Sequence, residues 1–431
     1  MSRLTELLQR ALQQQPAGAL CVAYSGGPDS TALLHALAQL PEAHARQLRA
    51  LHIDHGLHAE SRQWSEHCRQ LAQEWRVPCL VLRVEVAHER GYGLEAAARD
   101  ARYRAFALSL QDGERLLLGH HRDDQAETVL LKLLRGAGPE GLGGMRATRP
   151  LGRGVLWRPL LDVPRALLRA HIDEHALPCI DDPSNADRRL SRNFLRHEIL
   201  PRLTQHWPQA VESIAHSARL NRSACDTLER QWRSAQVALL DSTNGSLDAT
   251  GWLALAPALR HPLLDDWLHA RGLPVPTTAQ REQIERQVTA RDGQLPCIRW
   301  AGAELHVWKG RLWALPPQRT IDPQWQATWE GEPLALPDGG SLMLDPAGRL
   351  HEAVTVRLRR GGEHLRPVGD AHTRELRDLF QQSGMPPWRR LACPLLYLGD
   401  ELVGVADRWF TPRGAALFES AGAIPHWQPA F

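Results

Sequence analysis

The sequence predicts an α/β fold in which a doubly wound parallel sheet is followed by a small helical domain and a β-rich carboxyl-terminal domain. Three observations predict this order. Strand-like and helix-like segments alternate over residues 1–210, which is typical of a parallel sheet with helices on both faces. Helical spacing of apolar residues dominates positions 211–315. From residue 354 onward apolar and polar side chains alternate, which indicates β-strands.

Within the first domain the predicted elements follow one another regularly. Helices are expected over 1–15, 31–40, 59–75, 94–110 and 124–135, with another from residue 164. Strands are expected over 19–24, 48–53, 79–86, 115–119 and 155–160. A sheet of this kind binds its ligand at the carboxyl ends of the strands. We therefore expect the site at that edge.

The length of 431 residues predicts two or three domains. We place the predicted α/β domain at 1–210, a helical domain at 211–315 and a β-rich domain at 350–431. Residues 315–350 are rich in proline and glycine, which favours a linker or an irregular boundary.

Composition excludes some classes of protein. The formal net charge is only +2, so any nucleic-acid contact must come from local clusters of arginine. No stretch approaches the roughly 20 apolar residues that cross a bilayer, and the amino terminus has no apolar signal-peptide core. Seven scattered cysteines without a C-x-x-C pair indicate reduced thiols. We expect a cytoplasmic protein that does not bind membranes.

A glycine-rich turn joins the first predicted strand to the following helix. Its sequence is Ser25-Gly26-Gly27-Pro28-Asp29-Ser30. Free backbone N–H groups and the helix dipole attract an anion at such a position, and glycine lets the backbone approach phosphate closely. The G-x-x-x-x-G-K-[ST] pattern of the usual P-loop is absent from the sequence. The alternative is a turn with only a structural role before a capped helix.

The second predicted strand ends in His52-Ile53-Asp54-His55-Gly56-Leu57. Because this strand end lies at the ligand edge of the sheet, we expect Asp54 and His55 to line the nucleotide. A histidine with only a structural hydrogen bond is the alternative.

A polar cluster follows the strand predicted at 115–119 and opens the next helix. It runs His120-His121-Arg122-Asp123-Asp124-Gln125-Ala126-Glu127-Thr128. Histidine and carboxylates at this spacing are compatible with a permanent transition metal. Equally, the carboxylates are suited to Mg-ATP and an ammonium substrate. A third alternative is that Asp123 or Asp124 only caps the helix.

Two further segments complete the candidate site. Glu95, Arg99 and Arg102 recur at helical spacing and share one helix face, where a solvated stripe of ion pairs is the alternative. The pattern R-N-x-x-R occurs at Arg192 to Arg196. Residues 136–141 satisfy G-x-G-x-x-G, but they follow a helix, whereas the dinucleotide fingerprint follows a strand. We interpret them as a flexible active-site loop.

The S-G-G-x-D-S hexapeptide resembles that of the PP-loop ATP pyrophosphatases, which split ATP into AMP and pyrophosphate. Together with H-x-x-D-D-x-x-E-T at 120–128, R-G-x-G-P-x-G-L at 135–142 and R-N-x-x-R at 192–196, the chain resembles the tRNA(Ile)-lysidine synthetase family. The resemblance spans roughly residues 20–205 through these motifs, and the smaller terminal domains agree with it in number and order.

The resemblance implies an ATP-dependent ligase. Such enzymes join free lysine to the wobble cytidine of a tRNA(Ile) with a CAU anticodon, through an adenylated cytidine. The product, lysidine, changes the codon from AUG to AUA and the amino-acid identity from methionine to isoleucine. The expected cofactors are ATP and Mg2+, and the partners are this tRNA and free lysine; a homodimer is also compatible with the resemblance.

The resemblance also distributes roles over the candidate residues. Residues 25–30, Asp54 and His55 would bind ATP, with Asp29 beside the metal and taking part in catalysis. The other catalytic residues would be Arg102, Asp124 and Glu127, which handle lysine and the adenylated cytidine. The residues that would contact the substrate or tRNA are Glu95, Arg99, Asp123, Arg192, Asn193 and Arg196.

Arginine clusters suggest where tRNA binds, although ordinary surface charge is the alternative. They comprise Arg188, Arg189, Arg192, Arg196 and Arg202, then Arg357, Arg359, Arg360 and Arg366, and finally Arg389 and Arg390. Trp388 lies next to the last pair, and we expect it to cover exposed bases.

Three rival functions remain: a thiolating PP-loop tRNA enzyme, an amide-forming ligase for a small molecule, and a non-catalytic RNA-binding protein that uses ATP as a switch.

Overall fold

The computed structural model describes residues 1–58, 60–86, 94–183, 187–289, 295–318 and 321–430. The chain forms two compact units, Met1–Thr227 and Leu228–Phe431. Among the described residues there is no helix with the length and apolar character that a membrane crossing requires.

One six-stranded sheet organises the first unit. Its strands are β1 (Leu20–Ala23), β2 (Arg49–Asp54), β3 (Cys79–Arg83), β4 (Arg115–Leu117), β5 (Thr148–Leu151) and β6 (Gly154–Trp157). The order is β3-β2-β1-β4-β6-β5, and all neighbouring strands are parallel except β5 and β6. The strand order reverses between β1 and β4, which is the point where such sheets bind ligands. The predicted parallel sheet is confirmed, with an antiparallel edge hairpin that the sequence patterns did not indicate.

Helices cover both faces of this sheet. The helical elements in this part of the chain are α1 (Arg3–Gln13), α2 (Pro28–Ala38), α3 (Pro41–Ala45), α4 (Ser61–Glu74), α5 (Leu94–Ser109), α6 (Arg122–Leu134), α7 (Pro139–Leu142), α8 (Arg165–Glu174), α9 (Ser191–Phe194), a π-helical turn (Leu195–Ile199) and α10 (Leu200–His206). The helix α11 (Ala210–Leu239) begins in the first unit and ends in the second. Leu8 of α1 and Leu33 of α2 are buried in the core on one face. Phe106 of α5 packs with Cys21 and Leu116 on the other. The sheet is therefore doubly wound.

Residues 247–315 combine helices with a second sheet. The elements are β7 (Leu247–Asp248), α12 (Ala249–Ala254), α13 (Pro257–His269), α14 (Thr278–Val288), β8 (Cys297–Trp300), β9 (Ala303–Trp308) and β10 (Arg311–Leu315). The antiparallel sheet has the order β7-β10-β9-β8 and packs around Trp252, Trp267 and Ile284. The prediction of a helical domain omitted these strands. They are joined by tight turns at Gly302 and Gly310, whose positive φ angles favour glycine.

The remaining chain is rich in β-strands, as predicted. Its elements are β11 (Gln326–Trp329), β12 (Leu334–Ala335), β13 (Ser341–Asp345), β14 (Val354–Arg357), β15 (His364–Leu365), β16 (Arg374–Glu375), α15 (Leu376–Gln382), α16 (Pro387–Ala392), β17 (Leu395–Leu398), β18 (Glu401–Val405), β19 (Trp409–Phe410), α17 (Pro412–Ser420) and β20 (Ile424–Gln428). They form sheets β11-β14-β17-β18-β19, β12-β13-β20 and β15-β16.

The interpretation of residues 315–350 as a linker or irregular boundary is wrong. Strand β11 pairs with β14, β12 pairs with β13, and β13 pairs with β20, so this segment supplies three strands to the terminal sheets. Trp329 and Leu342 are fully buried in the same core as Phe380. Proline and glycine are frequent here because they occupy the turns between short strands. The residue bounds given for the three domains stay predictions.

The expectation that Trp388 covers exposed bases is also wrong. This side chain is 9% exposed, and its ring centroid lies 5.6 Å from that of Trp313 and 4.7 Å from that of His306. A tryptophan enclosed by other aromatic rings cannot stack on RNA, so its contribution is to packing.

Candidate active site

The glycine turn presents backbone N–H groups at the first turn of α2. The helix begins at Pro28 with Gly27 as its N-cap, and no side chain in the described part of the chain caps it. The first N–H groups thus remain available for an anion. Gly26 has a φ of 81°, and a Cβ atom there would lie 2.3 Å from Cδ1 of Ile180 and 2.8 Å from Sγ of Cys68. Only glycine fits this position.

Hydroxyl groups hold the shape of this turn. Oγ of Ser30 donates to the carbonyl of Gly27 over 3.0 Å, and the N–H of Ser25 donates to Oγ of Ser30 over 3.2 Å. Oγ1 of Thr31 donates to the carbonyl of Gly26 over 3.1 Å. These bonds fix the backbone conformation before any ligand binds.

Asp29 and His121 face each other where α2 and α6 begin. Oδ2 of Asp29 lies 3.5 Å from Nε2 of His121. Burial favours a higher pKa for Asp29, but His121, Arg165 and Arg196 outweigh it, so the pKa falls below its ordinary value. Oδ1 of Asp29 is buried and has no hydrogen-bond partner among the described residues. One oxygen of this half-buried carboxylate is therefore without a partner in the described chain and can serve a ligand.

His121 and Asp124 cap α6 reciprocally. The N–H of His121 donates to Oδ2 of Asp124 over 3.0 Å, and the N–H of Asp124 donates to Nδ1 of His121 over 3.3 Å. Asp123 instead accepts the N–H of Arg165 over 3.0 Å, at the first residue of α8. The alternative that Asp123 or Asp124 only caps α6 therefore holds in part for Asp124. Asp123 instead accepts a hydrogen bond from the first residue of α8.

Two arginines pair with the carboxylates of α6. Nε of Arg196 lies 2.6 Å from Oε1 of Glu127, and Nε of Arg192 lies 2.7 Å from Oε2. Both guanidinium groups also reach Oδ1 of Asp124, each over 3.1 Å. The sequence assigned these arginines to tRNA and the carboxylates to lysine. The structure joins both sets in one cluster of balanced charge.

Further cations surround His120. Burial and the positive charges of Arg158, Arg192, Arg102 and Arg99 lower the pKa of His120 well below its ordinary value. Nε of Arg158 donates to Nδ1 of the neutral ring over 3.3 Å. Arg158, which is 5% exposed, was missed by sequence reasoning. The feature of the sequence that could have identified Arg158 is its position, a charged residue immediately after the apolar strand β6.

Asp54 and His55 lie at the end of β2. Oδ1 of Asp54 accepts the N–H of Gly56 over 2.8 Å, so this oxygen shapes the turn. Burial and the nearby charge of Arg102 lower the pKa of His55, against the opposing effect of Asp54. Nδ1 of His55 is buried and has no hydrogen-bond partner in the described ranges.

The other predicted contacts are more dispersed. Nδ2 of Asn193 donates to the carbonyl of Asp187 over 3.0 Å, which holds the backbone before α9. Arg99 is exposed, with its guanidinium carbon 5.3 Å from the ring centroid of Tyr103. The side chain of Glu95 lies outside the described residues. The G-x-G-x-x-G segment follows α6 and includes α7, so it lacks the strand that a dinucleotide fingerprint requires.

Comparisons with known proteins cover almost the whole chain. A family model described as a PP-loop domain matches residues 1–203. Models described as the TilS substrate binding domain and the TilS substrate C-terminal domain match residues 247–313 and 354–427. The tRNA(Ile)-lysidine synthase of Xanthomonas campestris pv. campestris is 42% identical over 420 residues, which are 96% of each chain.

The chain belongs to the tRNA(Ile)-lysidine synthase family. A second member, from Alkalilimnicola ehrlichii, is 44% identical over 405 residues, covering 91% of this chain and 90% of its own. Membership in the tRNA(Ile)-lysidine synthase family confirms the predicted family and enzyme class, a ligase with an ATP-using PP-loop domain. Lysidine formation on tRNA(Ile) is the activity that this membership supports.

Proposed function

We propose that the chain uses ATP to ligate free lysine to the wobble cytidine of tRNA(Ile) with a CAU anticodon. One observation carries the proposal: the anion-binding turn at Gly26 and the carboxylates of Asp29, Asp124 and Glu127 converge on one edge of the sheet. An adenylating ligase needs a phosphate cradle beside groups that hold an ammonium ion. The lysidine formed would redirect the tRNA from AUG to AUA and from methionine to isoleucine.

The residues present fit Mg-ATP. The uncapped N–H groups of α2 suit the pyrophosphate end of the nucleotide, with Asp54 and His55 along the neighbouring strand end. The unpartnered Oδ1 of Asp29 is the kind of oxygen that Mg2+ prefers. When bound, the metal would neutralise phosphate charge. Asp29 would hold it, with Nε2 of His121 3.5 Å from the other carboxylate oxygen, Oδ2.

In the first step the cytosine O2 attacks the α-phosphorus of ATP, and pyrophosphate leaves. Negative charge develops on the phosphoryl oxygens, and fixed cations stabilise it best where water is excluded. Arg102 and Arg158 would supply these positive charges. Both lie close enough to His120 to lower its pKa. The backbone N–H groups of Asp29 and Ser30, in the first turn of α2, would retain the departing pyrophosphate.

In the second step the ε-amine of lysine adds to C2 of the cytosine, and AMP leaves. The incoming ammonium must first lose a proton, for which a carboxylate is the acceptor. Asp124 and Glu127 would hold this group, but in the free protein both are paired with Arg192 and Arg196. We therefore assign the arginines to tRNA phosphate, whose arrival releases the carboxylates for lysine.

Cysteine chemistry argues against the thiolating rival. Sulfur transfer requires an exposed or activated thiolate. Burial raises the pKa of Cys21 and of Cys68 to about 12, and that of Cys79 to about 11. These thiols remain protonated at neutral pH. The homodimer and the cytoplasmic location stay predictions.

The test mixes the purified protein with ATP, Mg2+, radiolabelled lysine and a tRNA(Ile) transcript with a CAU anticodon. Acid-precipitable label that requires ATP supports ligation, and its loss when the wobble cytidine is replaced locates the product. Absence of label with folded tRNA and a protein that binds ATP would refute the proposal.

A further inference from the structure

Three histidines converge in the first unit away from the glycine turn. His171 and His175 lie one helical turn apart at the end of α8, and His35 lies in the last turn of α2. Their ring centroids are separated by 5.1 Å (His35 to His171), 4.9 Å (His35 to His175) and 4.6 Å (His171 to His175). One nitrogen from each ring lies within 4.8 Å of the other two. Two helices therefore present three imidazoles to one point.

Hydrogen bonds already orient two of these rings. Nδ1 of His35 and Nε2 of His171 are 2.9 Å apart, so they share one proton. The other nitrogen of His171, Nδ1, lies 2.8 Å from Oγ of Ser2. Nε2 of His175 is buried and has no hydrogen-bond partner within the described chain. A buried ring nitrogen without a hydrogen-bond partner is energetically unfavourable. A cation bound by Nε2 of His175 and by the facing nitrogens of His35 and His171 would provide that partner.

We propose that His35, His171 and His175 bind a divalent transition-metal ion of the zinc type. Three imidazoles with one open position are a common zinc ligand set, and two of them at i and i+4 on a helix suit the geometry. The ion takes the place of the proton shared between His35 and His171, while the neutral ring of His35 moves its proton to Nε2. Tetrahedral coordination brings the nitrogens to roughly 3.3 Å from one another, a contraction that rotamer adjustment supplies.

The surroundings of the cluster favour metal over isolated imidazoles. Ser2 acts as the outer hydrogen-bond partner that typically fixes a metal-bound histidine. The edge of Trp75 packs on His35, with ring centroids 5.0 Å apart, and shields one side.

The position of the cluster gives the ion a structural role. His35 lies roughly 12 Å along α2 from the N-cap Gly27. The ion would join α2 to α8, while Ser2 connects it to the start of α1. It would thereby stabilise the nucleotide-binding unit, and the inference does not depend on the proposed reaction.

A second cluster could compete for metal and must be separated in the test. Sγ of Cys297 lies 3.5 Å from Glu304 and 3.7 Å from Nε2 of His306. Glu304 already accepts the N–H of Gln318 over 2.7 Å and pairs with Arg299 over 3.4 Å. Since these ligand atoms have partners, we favour the histidine cluster.

The experiment titrates Zn2+ into the untagged, chelator-treated full chain by calorimetry and records the visible absorption of a Co2+ complex. We expect one ion per chain, tetrahedral Co2+ absorption and an unfolding midpoint raised by several degrees. His175→Gln and His35→Gln should each weaken binding roughly 100-fold, and Ser2→Ala about tenfold. His44→Gln, an exposed histidine of α3, and Cys297→Ser should bind as the parent does.

Two variants guard against misfolding, since a histidine substitution can destabilise the chain without any metal. His175 and His35 come from different helices, so equal loss of binding in two folded variants identifies the cluster. Binding that survives both substitutions, that is lost in Cys297→Ser, or that never reaches stoichiometry would overturn the proposal.

Discussion

Glu127 and Arg196 form a buried, bidentate ion pair. Nε of Arg196 donates to Oε1 of Glu127 over 2.6 Å, Nη2 donates to Oε2 over 3.0 Å, and the carboxylate side chain is 1% exposed. The pair joins α6 to the π-helical turn that follows α9. A substrate ammonium that binds Glu127 must therefore compete with a guanidinium group already in place.

Glu127→Gln should abolish most ligation while ATP binding persists. Loss of one charged group that stabilises the reacting centre typically lowers the rate roughly 100-fold. The variant also leaves Arg196 buried with half its partners, which costs about 3–5 kcal/mol of unfolding free energy. Single-turnover lysine incorporation and urea unfolding measure the two effects.

Glu198→Gln is the matched control, because Glu198 pairs with the exposed Arg188 and should change stability by less than about 1 kcal/mol. The double variant Glu127→Gln with Arg196→Gln should regain only part of this stability, because Arg192 also loses the Glu127 carboxylate, and it should not regain ligation. Wild-type incorporation by Glu127→Gln would remove Glu127 from the reaction.

Gly26→Ala should prevent ATP binding. The new methyl group would meet Ile180 and Cys68, and the positive φ adds roughly 1–3 kcal/mol of backbone strain. Gly348→Ala is the control, since this glycine lies outside the candidate site and a Cβ there makes only ordinary contacts, at 3.8 Å or more. Equilibrium binding of a fluorescent ATP analogue distinguishes them; equal affinities would show that the turn does not hold the nucleotide.

Some of this site could be predicted from sequence because its chemistry lies in continuous motifs. The glycine turn and the Asp124–Glu127 helix start each occupy a few adjacent residues. The pairing of Glu127 with Arg196 could not be predicted from the sequence. The two arginines that bind this carboxylate are 65 and 69 residues away along the chain, and only the fold brings them to it. Arg158 escaped notice for the same reason, since its partner His120 is 38 residues distant.

The fold shows the same limit. Alternating strands and helices revealed the first sheet, because each element has its own periodicity. Strand β11 is only four residues long, and its burial depends on pairing with β14. Trp388 looked like a surface aromatic beside arginines until its packing on Trp313 was known.

The stability of the first unit should depend on the protonation of His121. Burial alone lowers its pKa, but Asp29, Asp124 and Asp123 outweigh burial and raise the pKa above the ordinary 6.5. The folded state then binds this proton more tightly than the unfolded chain does. The resulting stabilisation is complete below pH 6.5 and is lost as pH rises through the folded-state pKa.

Urea unfolding from pH 5.5 to 9 tests this dependence. Asp29→Asn removes one of the charges that raise the pKa of His121, so the loss of stability should be smaller than in the parent and should end at a lower pH, while its onset stays the same. Arg69→Gln, which removes an exposed ion pair with Glu66, should leave the profile unchanged. Identical profiles for the parent and Asp29→Asn would contradict the coupling.

Trp388→Ala should unfold the second unit more readily without weakening tRNA binding directly. Removing a buried tryptophan typically costs about 3–5 kcal/mol. The matched control is Trp207→Ala, whose side chain is 59% exposed. Calorimetry should show a lower midpoint only for Trp388→Ala. Loss of tRNA affinity in a fully folded Trp388→Ala would restore a role for this ring in binding RNA.

The arginines of the terminal domain can be tested without truncation. Removing residues 350–431 would separate β13 from its partner β20, so lost binding could reflect unfolding. Arg360 and Arg366 are exposed, and each donates to a backbone carbonyl, of Pro323 and Asp370 respectively. Such anchoring orients the guanidinium group toward solvent at little entropic cost.

Arg360→Glu combined with Arg366→Glu should weaken tRNA binding and reduce the slope of log affinity against log salt by roughly 2, as the loss of two phosphate contacts requires. ATP binding should not change. Arg413→Glu is the control, because Arg413 already pairs with Glu401 over 2.7 Å. If the salt slope of the double variant equals that of the parent, tRNA phosphate does not contact these two arginines, and the tRNA-binding surface of the terminal domain must lie on another face.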